Sequence, residues 1–78
     1  MNESLLKAIE LANAGDWDGA HKIVQEESGQ NASWLHANLH REEGDLGNAQ
    51  YWYNRADLPK SEKSIYEERE EIREKSLK

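Results

Sequence analysis

Ala14-Gly15-Asp16-Trp17-Asp18-Gly19-Ala20 and Glu43-Gly44-Asp45-Leu46-Gly47-Asn48-Ala49 lie 29 positions apart, and their match decides the fold class. At this offset Leu6/Leu35, Ala8/Ala37, Gly15/Gly44, Asp16/Asp45 and Ala20/Ala49 are identical, while Leu5/Trp34, Trp17/Leu46 and Val24/Tyr53 keep apolar character. A fixed period of this size marks a repeated supersecondary unit. Outward from each Gly-Asp pair, the apolar residues recur at helical spacing. Upstream of Gly15 stand Leu5, Ala8, Ile9 and Ala12, with Asn2 as the cap; downstream stand Trp17, Ala20 and Val24. Gly15 suits the left-handed position that ends a helix, and Asp16 caps the next one at once. The second unit repeats this plan. Asn31 is expected to cap a helix carrying Trp34 or Leu35, Ala37 and Leu39, Gly44 to end it, and Asp45 to start a stripe of Leu46, Ala49, Tyr53 and Ala56. So short a turn makes each pair an antiparallel hairpin. No stretch alternates with the two-residue period of a strand.

The last segment differs in kind. Ser64-Ile65-Tyr66-Glu67 fits a capping box, and the Glu-rich run after it favours helix. Its apolar stripe is thin: Ile65, Ile72 and Leu77, with Tyr66 beside the first. It reads as a cap on the second hairpin that frays after about Ile72. The expectation is one all-α domain over residues 1–78, with hairpins at 3–28 and 31–57 and a C-terminal helix at 61–76.

Gly15-Asp16-Trp17-x-x-Ala20 and Gly44-Asp45-Leu46-x-x-Ala49-x-x-x-Tyr53-x-x-Ala56 resemble the turn and second helix of a tetratricopeptide repeat, and Ala8 and Ala37 match its small first-helix position. The resemblance covers roughly residues 5–27 and 34–56. It implies right-handed stacking of the hairpins and a non-enzymatic module or scaffold that receives a protein or peptide. Leu39-His40-Arg41-Glu42-Glu43-Gly44-Asp45-Leu46 through Tyr51-Trp52-Tyr53-Asn54-Arg55-Ala56 is also similar to small bacterial proteins of unknown function, which implies no activity.

Composition narrows the partners. The 78 residues hold 10 Lys+Arg and 16 Asp+Glu, a net charge of −6, and the whole excess lies within residues 1–59. Such a body repels phosphate, which argues against nucleic acid and anionic membranes. With no cysteine there is neither a disulfide nor a thiolate metal site. No apolar run exceeds Tyr51-Trp52-Tyr53, and Met1-Asn2-Glu3-Ser4 lacks the basic start of a signal peptide, so the expected location is the cytoplasm. Two hairpins normally leave one helical face uncovered, which leads us to expect a weak homodimer or an exposed apolar patch.

Two constellations carry chemistry. His36 and His40 lie one helical turn apart with Glu43 three residues on, a spacing able to hold Zn²⁺ or Ni²⁺. The alternative to an interaction module is accordingly a small-ligand or metal-binding protein using His36, His40 and Glu43. Ala37 follows the first histidine where a zinc protease needs Glu, so the pattern supports no hydrolytic zinc chemistry. No phosphate cradle, nucleophile elbow or calcium loop is present, and no catalytic residue or cofactor is expected. The second constellation is aromatic and basic: Tyr51, Trp52 and Arg55, joined by Arg41 and flanked by His36 and His40. This surface is expected to take a carboxylate or acidic peptide, more tightly at pH 6 than at pH 8 as the histidines protonate near 6.5.

Overall fold

The two Gly-Asp turns adopt one geometry. Gly15 and Gly44 sit at φ 92° and 88°, a region costly for any side chain with a Cβ. Beyond each glycine the aspartate amide reaches back five residues, Asp16 to the Leu11 carbonyl at 2.8 Å and Asp45 to the His40 carbonyl at 2.9 Å. Each aspartate carboxylate then accepts from the amide three residues on, Gly19 at 3.0 Å and Asn48 at 3.2 Å. One residue therefore closes the old helix and caps the new one.

The computed structural model describes residues 2–78. It contains five helices: α1 (Glu3–Asn13), α2 (Trp17–Val24), α3 (Gln30–Glu42), α4 (Leu46–Ala56) and α5 (Ile65–Ser76), with no strand among the described residues. Asn2 caps α1 through Leu5 N–H at 3.2 Å, and Ser64 with Glu67 forms the capping box of α5. Asn31 does not cap α3. That helix starts one residue earlier, from Gly29 at φ 103°, with no side chain on its first amides. The glycine conformation turns the chain sharply enough for Gln30 to enter the helix, and Gln30 Nε2 donates to the Ala56 carbonyl at the end of α4.

α3 is the hub. It packs against each of the other four helices, and every residue from Ala32 to His40 is buried. A helix buried all round has no polar face to give to water, so its Ser33, His36, Asn38 and His40 must find partners inside. α1 contributes Leu5, Ala8, Ile9 and Ala12 to the core, α2 Ala20 and Val24, and α4 Ala49, Tyr53 and Ala56. Fully burying a side chain such as Leu5, Ile9, Leu35 or Leu39 stabilises the fold by about 1.5–3 kcal/mol. Leu46 lies outside this stripe at 54% exposed.

α5 packs on α1 and α3, and the chain has a radius of gyration of 10.8 Å. It does not fray after Ile72 but continues to Ser76, where the Ser76 carbonyl accepts from Asn2 N–H at 3.1 Å. Ile72 is its one buried large apolar residue; Tyr66 and Leu77 face solvent. Its hold on the body is polar. Glu68 is fully buried and accepts from Trp34 Nε1 (3.0 Å), Asn38 Nδ2 (2.8 Å), Arg41 Nη1 (2.7 Å) and the Tyr53 hydroxyl (2.5 Å). Buried Arg69 donates to Asn38, Asn13 and Glu42. Four charges and their donors thus supply the hold that the thin apolar stripe of α5 does not. No helix among the described residues is long and apolar enough to cross a membrane.

Candidate metal centre

The face of α3 turned away from Glu68 presents His36 and His40 one turn apart, and α2 brings His21 against them. The chain has three histidines, and all three meet here. His21 Nε2 lies 3.1 Å from His36 Nε2. One ring nitrogen from each of His21, His36 and His40 falls within 4.8 Å of the others. His36 and His40 stack at 5.0 Å, while His21 stands edge-on to both at 4.7 and 5.2 Å.

Two tryptophans hold the rings from either side. Trp17 stacks on His21 at 4.7 Å, one turn earlier on the same helix, and its Nε1 donates to the Leu39 carbonyl at 2.7 Å, tying α2 to α3. Trp52 of α4 lies flat on His36 at 3.8 Å. Glu43 Oε2 accepts from His40 Nδ1 at 2.6 Å, which orients that ring and leaves Nε2 as its free donor atom. Burial, with His21 and His40 close by, pushes His36 down to about 4. Burial and His40 lower His21 as well, against the opposite pull of Glu43 and Asp18. His36 is therefore a neutral imidazole at pH 7, with a lone pair to offer a metal. The expectation that the histidines take up protons near 6.5 fails for His36, because a charged ring would have to sit without water among other imidazoles.

Of the expected group His36, His40 and Glu43, the structure gathers two with a third histidine and holds the carboxylate apart. His36 and His40 are brought together, but Glu43 serves the outer nitrogen of His40, and His21 takes the inner place. These histidines are buried or half-buried rather than surface side chains. His21 went unsuspected because it is distant in sequence. Its signal was Trp17 four residues before it, a spacing at which helical side chains meet.

The aromatic and basic constellation is partly assembled. Arg55 lies over Tyr51 at 5.9 Å and over Trp52 at 5.5 Å, and its Nη1 donates to the Tyr51 hydroxyl at 3.2 Å. Tyr51 stands edge-on to Trp52 at 5.2 Å. Arg41 does not join them. It points to the opposite side of α3, where it pairs with Glu68 and donates to the Lys63 carbonyl. A buried carboxylate offers Arg41 more than an exposed face can. Among known proteins, no family model, curated protein or solved structure matches this chain.

Proposed function

We propose that this chain is a small helical metal-binding protein, with His21, His36 and His40 as ligands to a first-row transition ion and zinc as the ion this donor set fits best. The observation that carries the reading is the 3.1 Å separation of His21 Nε2 and His36 Nε2. Two nitrogens on a tetrahedral zinc stand about 3.3 Å apart, given Zn–N bonds of about 2.0–2.1 Å. His40 has to close by at most about 1.5 Å from its limit of 4.8 Å to join them. The Glu43–His40 contact supports the same reading, since a carboxylate on the outer nitrogen is the usual support of a metal-bound histidine. Because His21 comes from α2 and the other two from α3, a bound ion would tie the two halves of the fold together.

Isothermal titration of the tag-free protein with Zn²⁺ tests the proposal. One ion should bind per chain, and His21→Ala and His36→Ala should each abolish binding. At a free concentration a hundredfold above Kd the ion should stabilise the fold by about 2.7 kcal/mol. Heat evolution that survives both substitutions would count against the site.

A second reading has its own support, namely that of a non-enzymatic interaction module. α4 exposes Leu46 and Tyr51 to about half their surface, with Arg55 stacked beside Tyr51. Two helix pairs joined by matching glycine turns, packed through α3, suit a tetratricopeptide-like arrangement with a peptide-binding face. On this reading Leu46 and Tyr51 meet a protein partner or a second copy of the chain. Sedimentation should then reveal weak self-association that Leu46→Glu removes; a strict monomer at high concentration would argue against the self-associating form.

A further inference from the structure

A site with three protein donors is incomplete. Structural zinc sites close with four ligands from the chain, whereas three leave one position for a ligand from outside. Resting on the metal-binding reading above, we infer that the fourth position receives the carboxylate of an exogenous ligand whose body lies against Trp52.

Three observations point this way. First, no fourth His, Cys, Asp or Glu among the described residues joins the cluster. The described His, Cys, Asp and Glu residues that meet at the inner nitrogens number three, and Glu43 belongs instead to a separate group with His40 and Asp45. Glu43 is also committed to the outer nitrogen of His40. Second, charge favours an anion. Three neutral imidazoles leave a divalent ion with its full charge, in surroundings where water screens it poorly. No described carboxylate is among the donors that converge with His21, His36 and His40. A carboxylate supplies both the oxygen donor and the charge that the site lacks.

Third, aromatic and cationic side chains adjoin His36 on α4. Trp52 lies 3.8 Å from His36 and is only partly buried, and the inference places the ligand's body against its exposed part. Beyond it, Tyr51 stands edge-on and Arg55 covers both rings. Aromatic carboxylates match that sequence of a metal, a flat apolar wall and a cation.

Cobalt substitution reads the fourth position directly. Protein loaded with Co²⁺ should show the intense visible absorption of a tetrahedral site. Acetate and benzoate should each shift it, benzoate at a several-fold lower concentration because its ring reaches Trp52. Trp52→Leu should remove that difference. If the cobalt spectrum forms but neither carboxylate alters it, the coordination is closed and this inference is overturned, while the metal reading stands. Equal potency of the two carboxylates would overturn the Trp52 contact. If no spectrum dependent on His21 and His36 forms, both readings fall together.

Discussion

α3 buries polar side chains on two opposite faces, and the two sets behave differently. On one face Trp34, Asn38 and Arg41 converge on Glu68, a carboxylate with four donors around it. The next residue, Arg69, is matched in turn by Asn13, Asn38 and Glu42. Every member finds a partner of opposite character. On the other face three imidazoles are turned toward one another, with tryptophans outside them. One hydrogen bond, between His21 and His36, joins them, and a proton on one disfavours a proton on the next. The first arrangement explains how α5 is held without an apolar seam. The second joins α2, α3 and α4 through aromatic stacking, and it is the set of donors on which the metal-binding proposal rests.

The comparison breaks first at Glu68. Glu68→Ala leaves the Arg41 guanidinium and three further donors without their acceptor, and should cost about 3–5 kcal/mol in urea denaturation. A loss below about 1 kcal/mol, the worth of an ordinary hydrogen bond, would mean that water replaces the carboxylate and that the network is not what secures α5.

The second test is the pH dependence of the metal-free protein. His36 sits at about 4 in the fold against an ordinary 6.5, so between those values the unfolded chain binds the extra proton. Stability should therefore be full above about pH 6.5 and decline as the pH falls toward 4. For His36 alone the loss reaches about 3 kcal/mol, and His21 shifts in the same direction. Thermal unfolding of His36→Gln over this range should show a correspondingly shallower decline. An unchanged slope would assign the effect elsewhere.

A smaller effect separates the two faces most sharply. His21→Ala should cost the metal-free fold about 1–2 kcal/mol, from its stacking on Trp17 and its hydrogen bond with His36. The substitution should also raise the value at which His36 titrates, since one neighbouring imidazole is gone. Proton NMR of the remaining two histidines measures this. A loss as large as that at Glu68 would make the cluster a structural element and remove the contrast. The smallest effect is expected at Arg55, which touches neither the Glu68 network nor the imidazoles themselves. Arg55→Ala should lower stability by about 0.5–1 kcal/mol through its contacts with Tyr51 and Trp52. Chemical denaturation reads it, and a larger loss would show that the exposed face of α4 contributes to the core.

Local signals carried much of the architecture. Gly15-Asp16 and Gly44-Asp45 each hold a left-handed residue and a capping carboxylate in adjacent positions, so both turns were readable without knowing what they join. Ser64 and Glu67 were legible for the same reason: a capping box is satisfied within four residues. Asn31 misled because the Gly29 conformation, and not a side chain, opens α3. Leu46 departs from its stripe because periodicity assigns a residue to a face without revealing what covers that face, and Leu46 is 54% exposed.

The candidate site was half legible. His36 and His40 announce themselves by helical spacing, and Trp52 with Arg55 by theirs. Glu43 was noticed for its distance along the chain from His40, but which nitrogen it serves depends on where the third imidazole enters. Arg41 sits one residue from His40 and was grouped with it. On α3, however, one step turns a side chain by about 100°, enough to send Arg41 toward Glu68.

What the sequence alone determined is the helical class, the caps and turns that divide the chain, and the two histidines that share a face of α3. These depend on contacts spanning a few residues, where spacing and side-chain chemistry suffice. Only the tertiary structure decided that His21 completes the cluster and that Glu68 and Arg69 anchor α5. His21 lies 15 positions from His36, and Glu68 lies 30 from Asn38. No period links such residues; they meet because α3, buried on every side, must satisfy its polar groups with whatever its neighbours present.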